Sequence, residues 1–76
     1  MYRAVFEINK NLKEAYQIFK PEEHQGKRAS LEIKKTQTKV QLVIKAQDYV
    51  ALKAMLNSIN RLLMIFDQIQ NGRKTR

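Results

Sequence analysis

The longest uninterrupted pattern in the chain constrains everything built around it. From Asp48 onward, apolar residues recur at helical spacing for about 23 residues, until Asn71-Gly72 offers a stop. Asp48 supplies a natural N-cap, so the spacing predicts one helix over 48–71. At 1.5 Å per residue such a helix measures about 35 Å. Strands of seven or eight residues span only about 25 Å. Its last turns, which hold Met64 to Ile69, are therefore expected to overhang any sheet the rest of the chain can form.

On a helical wheel Leu52, Met55, Leu56, Ile59, Leu62, Leu63, Phe66 and Ile69 share one broad face, the core stripe. The run Leu62-Leu63-Met64-Ile65-Phe66 is more than one stripe can absorb. Met64 and Ile65 point roughly 100–140° away from the core direction. Val50 and Ala54 join them on the far side, with Asn57, Arg61 and Gln68 between. Apolar anchors mixed with polar groups suit a protein partner. The competing reading is scattered surface apolars of the ordinary kind.

Upstream, the period changes. Tyr2, Ala4, Phe6 and Ile8 alternate with Arg3, Val5 and Glu7, the signature of a half-buried strand. Asn11 with Glu14 three residues on reads as a capping box, opening a short helix through Leu12, Ala15, Tyr16 and Phe19. Pro21 ends that helix. Residues 22–27, with Gly26, read as a loop in which Glu22 and Glu23 are solvated. Ala29, Leu31 and Ile33, then Val40, Leu42, Ile44 and Ala46, form two alternating runs around a polar Thr36-Gln37-Thr38 turn. They predict a β-hairpin. The order is β-α-β-β-α: an α+β fold with a three-stranded antiparallel sheet and two helices on one face. Residues 1–71 form a single domain and 72–76 a frayed basic tail. The place of the first strand in the sheet is left open. Such a sheet has two free edges, and one could pair with a second copy or be shielded by lysines.

A domain of 76 residues is marginal alone and usually compensates with disulfides, a metal or oligomerisation. There is no cysteine and a single histidine, His24, so oligomerisation is the remaining route. No metal or cofactor is expected. Met1 to Lys20 lacks a secretory pattern, and no segment approaches the roughly 20 apolar residues of a membrane span. A cytoplasmic protein with no membrane partner is the expectation.

Enzymatic constellations are missing. Ser30 and Ser58 have no plausible base, His24 lying in a remote loop, and the only glycines, Gly26 and Gly72, make no phosphate loop. A non-enzyme is expected. The net charge is +8, from 15 Lys and Arg against 7 Asp and Glu. Arg73, Lys74 and Arg76 carry three of those charges, leaving +5 on the folded part. Such an excess favours nucleic acid or an acidic protein as neighbour. On the open sheet face Arg3, Arg28, Lys34, Lys39 and Lys45 are the candidate nucleic-acid contacts, diluted by Glu7 and Glu32, with the tail cations beside them. That face lacks exposed aromatics, so backbone contact without base readout is the reading. A solvated charged face explains it equally well.

Several short motifs occur in a recognisable order: Pro21-Glu22, Ala46-Gln47-Asp48, Leu52-Lys53-Ala54, Asn57-Ser58 and Arg61. In order and spacing they resemble the CTAG/Pcc family, the small dimerising subunit of the KEOPS complex, over nearly the whole chain. The resemblance implies a role in threonylcarbamoyl-adenosine modification of tRNA, with the chemistry done by another, ATPase-like subunit. It implies that the small subunit grips this catalytic threonylcarbamoyl-transferase subunit by helix packing, pairs two assemblies and contributes to tRNA binding. Asn57, Ser58 and Arg61 map to the family's helix motif near that partner. Lys53 stands where the family usually has arginine, and Leu62 where an aromatic is common. Both a homodimer and a heterodimer with a paralogous small subunit fit. Adaptor subunit and freestanding RNA- or DNA-binding module are the two function classes the sequence leaves standing.

Overall fold

The computed structural model describes the backbone of residues 1–75 and the side chains of residues 1–69. The order is β1 (Tyr2–Ile8), α1 (Leu12–Phe19), a 3-10 turn (Lys20–Glu22), β2 (His24–Gln25), β3 (Ala29–Lys35), β4 (Val40–Ala46) and α2 (Tyr49–Thr75). The expected α+β fold is found, with one short strand more. The antiparallel sheet runs β1-β4-β3-β2, so the first strand lies at an edge beside the last. The extra strand, β2, is cut from the segment read as loop: His24 pairs with Leu31 and Gln25 with Ser30.

Register explains the core. Phe6, Leu42 and Ile33 share one rung, and Ala4, Ile44 and Leu31 another, all on the face under the helices. Ala15 and Phe19 of α1 and Ile59 and Phe66 of α2 close over them. Each fully buried Phe, Leu or Ile here contributes about 1.5–3 kcal/mol. Hydroxyl chemistry closes the β3–β4 hairpin. Thr36 Oγ1 accepts from the backbone N–H groups of Thr38 and Lys39, at 3.3 and 3.2 Å. Gly26 is required where it stands: a Cβ there would meet the Ala29 carbonyl oxygen at 2.9 Å, and the Gly26 N–H donates to that same oxygen.

Four local expectations change. Asn11 is left-handed (φ 51°, ψ 49°) and makes no side-chain cap, so the capping box is replaced by a conformation asparagine tolerates well. Tyr2, expected in the buried alternation, is exposed at the sheet corner, its ring edge-on to Tyr49 at 6.4 Å. Helix α2 does not stop at Asn71-Gly72 but continues to Thr75, into the segment read as a tail. A single glycine lowers helix propensity without forbidding helix. Finally, Phe66 is buried and Ile69 exposed. The overhang therefore starts after Phe66, over residues 67–75, about 13 Å of helix. The molecule is 41 Å long, close to the length of α2 alone.

Candidate partner-binding surfaces

Helix α2 is held at its start by a built cap. Asp48 Oδ1 accepts from the Ala51 N–H at 2.8 Å. Both carboxylate oxygens also accept from the Arg28 guanidinium, at 3.1 and 3.0 Å. The Ala51 N–H first, then Arg28, hold the Asp48 carboxyl below its ordinary value of 3.8. From this anchor the inward stripe follows the wheel: Ile59 and Phe66 are buried, while Leu52, Met55, Leu56, Leu62 and Leu63 pack half-buried against the core.

The eight residues assigned to a partner, Val50, Ala54, Asn57, Ser58, Arg61, Met64, Ile65 and Gln68, are all exposed. Val50 is 68 %, Met64 62 % and Ile65 42 % accessible, so three large apolar side chains stand on the outward side of one helix. They do not form one stripe. Seen down the helix, Ile65 and Ser58 lie on one flank and Met64 on the other, with Arg61, Val50 and Gln68 between.

The basic residues separate into two kinds. Arg3, Lys34 and Lys45 lie on the open face as expected and are exposed. Lys34 pairs with Glu32, at 3.9 Å. Arg28 precedes β3 and is committed to Asp48 at the start of α2. Lys39 lies in the hairpin turn and donates to Glu7 at 3.1 Å, beside Gln41 at 2.8 Å. Gln41 first, then Lys39, hold the Glu7 carboxyl below its ordinary value. Arg3 and Lys45 sit directly opposite each other with no ion pair among the described residues. The side chains of Arg73 and Lys74, and Arg76 altogether, lie outside the described residues.

Some functional geometry was not anticipated. Glu23 is not simply a solvated carboxylate; half-buried, it is engaged through both oxygens, Oε2 accepting from the Ile33 N–H at 2.9 Å and Oε1 from the Lys20 ammonium. The Ile33 N–H, then Lys20, pull its carboxyl below the ordinary value of 4.5. Val43 points to the open face yet is only 4 % accessible, because β4 is central and Val5 and Glu32 flank it on the same rung. His24 is in β2, and not in a loop remote from Ser30. Both border a shallow depression of about 390 Å³ with Glu23, Gln25, Glu32 and Lys45. Strand alternation turns the two side chains to opposite faces, and His24 Nδ1 lies 3.3 Å from the Glu22 carbonyl oxygen. Alternating patterns mark which face a residue takes; they carry no sign of a side chain that turns along the sheet edge.

Among the described residues no group of His, Asp or Glu is placed to hold a metal, and no helix is long and apolar enough to cross a membrane. Comparison with protein-family models, with curated proteins and with solved structures finds no match.

Proposed function

We propose that the chain is a non-catalytic, cytoplasmic adaptor whose α2 helix binds a partner protein through its outward side. The observation that carries this reading is the exposure of Val50, Met64 and Ile65 on a helix whose inward side already satisfies the core. Exposed anchors of that size, interleaved with Asn57, Arg61 and Gln68, match the composition of protein interfaces. The motif order from Pro21-Glu22 to Arg61 suggests which partner: the catalytic subunit of KEOPS, so that the adaptor supports threonylcarbamoyl-adenosine modification of tRNA.

The test is co-purification with that subunit. Ile65→Asp and Arg61→Glu each abolish it while circular dichroism and thermal midpoint stay native, since both side chains are exposed. An unchanged complex with both variants would overturn the assignment. A second reading, a freestanding nucleic-acid-binding module, draws on Arg3 and Lys45, directly opposed cations with no ion pair among the described residues. It requires the isolated chain to bind RNA or DNA with affinity falling steeply as salt rises. No binding at low salt removes it.

A further inference from the structure

The chain enters β3 through Lys27-Arg28-Ala29-Ser30-Leu31. Two cations precede the serine, at three and two positions before it, and an apolar residue follows. The serines and threonines of the chain are Ser30, Thr36, Thr38, Ser58 and Thr75, and only Ser30 has all three of these neighbours. Such a pattern fits protein kinases whose acidic substrate groove reads basic residues ahead of the hydroxyl, since charge patterns set substrate choice in that class.

The fold holds a place for the product. Ser30 is half-buried on the open face, directly opposite Lys45, which in turn stands opposite Arg3. Gln25 stands on the other side of Ser30. The row Gln25, Ser30, Lys45, Arg3 thus crosses all four strands, and its two cations make no ion pair among the described residues. Strands lie about 4.8 Å apart, so Lys45 is one spacing from Ser30 and Arg3 two, both within side-chain reach of a phosphoryl group on Ser30 Oγ. Glu32, two residues along the same face, is paired with Lys34 at 3.9 Å. Ser30 and Lys45 both border the depression of about 390 Å³, which leaves room for the added group.

We propose that Ser30 is a phosphorylation site for a basic-directed serine/threonine kinase, and that its phosphate docks on Lys45 and Arg3. Ser30 Oγ bonds to the γ-phosphorus of ATP, the bond from that phosphorus to the bridging oxygen breaks, and ADP leaves. The hydroxyl proton passes to the kinase's carboxylate base. The phosphate brings a charge of about −1.5 to −2 at neutral pH and three acceptor oxygens. Two like charges facing each other across the sheet become partners of one anion, through charge-assisted hydrogen bonds. The open face loses its cationic row, and with it attraction for an anionic neighbour.

Access to the serine is conditional. Lys27 and Arg28 are exposed, but Leu31 is only 1 % accessible and Arg28 is held by Asp48. A kinase therefore takes this segment when β2 and the first rungs of β3 have opened locally. The fastening is slight: β2 pairs two residues, and Glu23 adds one bond to the Ile33 N–H.

This inference rests on the start of β3 and not on the outward side of α2, so either can fail without the other. The full chain is incubated with cyclic-AMP-dependent protein kinase and ATP, and phosphate is mapped by mass spectrometry. Ser30 is labelled ahead of Thr36 and Thr75, Ser30→Ala loses that label, and Glu23→Ala gains it faster than the native chain. No phosphate on Ser30, or Thr36 labelled as fast, overturns the site. A rate that Glu23→Ala leaves unchanged overturns the opening step. Phosphorus-31 NMR of the labelled chain reads the docking. The second pKa of the phosphate lies below its value in urea, about 6. Lys45→Ala and Arg3→Ala each raise it, whereas Lys53→Ala, which removes an equal charge from α2, does not. Equal values in the folded and denatured chain, or equal shifts in all three variants, overturn the docking. Should Lys45→Ala fail to fold by circular dichroism, Arg3→Ala against Lys53→Ala decides.

Discussion

The sheet has two edges that solve the same problem in opposite ways. At one, β3 presents its outer backbone groups and the chain doubles back to meet them. β2 pairs with Ser30 and Leu31, and the Glu23 carboxylate accepts the Ile33 N–H just beyond. At the other, β1 presents an equal length of strand, and among the described residues no strand pairs with its outer side. Tertiary structure therefore blocks one edge with a two-residue strand and a side chain, leaving the other able to add a strand. The difference also separates mechanical roles. Closed-edge β3 contributes Leu31 and Ile33 to the core, whereas open-edge β1 buries only Ile8 and leaves Ala4 and Phe6 half-buried.

The largest effect expected from this contrast is in packing. Ile33 is buried against the helices, so Ile33→Ala removes core contacts and costs about 2–5 kcal/mol. Val5→Ala trims an accessible side chain of the open edge and costs under about 1 kcal/mol in the monomer. Urea denaturation of both variants at low protein concentration measures the gap. A Val5→Ala cost equal to that of Ile33→Ala would mean that β1 is covered, which breaks the comparison.

A smaller effect is expected at Glu23. Glu23→Ala leaves the Ile33 N–H without its side-chain acceptor, while Glu23→Gln keeps a neutral oxygen in reach. Amide exchange at Ile33 should accelerate clearly in the alanine variant and less in the glutamine variant. Exchange along the β3–β4 ladder should stay native in both. The alanine variant should also self-associate more at high concentration, since it carries a second open edge. Unchanged Ile33 exchange in both variants would show that β2, and not Glu23, closes that edge.

These edge devices were the part least legible in the sequence. The period-2 runs around Leu31, Ile33, Leu42 and Ile44 identified both hairpin strands and their buried face, because one-sided burial writes itself into alternation. The inward stripe of α2 was legible for the same reason at period 3.6. Glu23 was not legible: one carboxylate in a polar segment looks solvated until the fold shows an N–H beside it. β2 is too short to carry any period. The Arg28–Asp48 pair joins residues on either side of the hairpin, and no local pattern links them. Asn11-Glu14 carried a misleading signal, since the motif suits a capping box but the chain reverses there through a left-handed residue. The outward residues of α2 were legible as exposed. That Ile65 and Met64 take different flanks follows only once burial has set the inward direction at Ile59 and Phe66.

The smallest effect separates the edges by pH. The Glu23 carboxyl lies below its ordinary 4.5, through the Ile33 N–H first and the Lys20 ammonium second. Glu7 and Asp48 are depressed as well, Glu7 through Gln41 and Lys39 and Asp48 through Ala51 and Arg28. In each the folded state favours the charged form, so the unfolded chain binds more protons between the folded and ordinary values, and stability rises with pH across that window. The contribution is present above the ordinary values, 4.5 for the glutamates and 3.8 for Asp48, and is lost as pH falls through the folded ones. Lys20 has the opposite sign: raised above 10.5 by Glu23, it contributes fully below that value and less as pH climbs through the folded one. The thermal midpoint should thus be level between these limits and fall at both ends. The edges diverge in the acid limb, because at β3 a carboxylate holds an edge amide. Glu7 bonds the side chains of Lys39 and Gln41 on the open face, and its protonation uncovers no edge amide of β1. Below about pH 4.5, protection of the Ile33 amide should decline while that of the β1–β4 ladder persists, and Glu23→Ala should remove this difference. An Ile33 amide whose protection does not respond to acid would show that the Glu23 contact does not close the edge in solution.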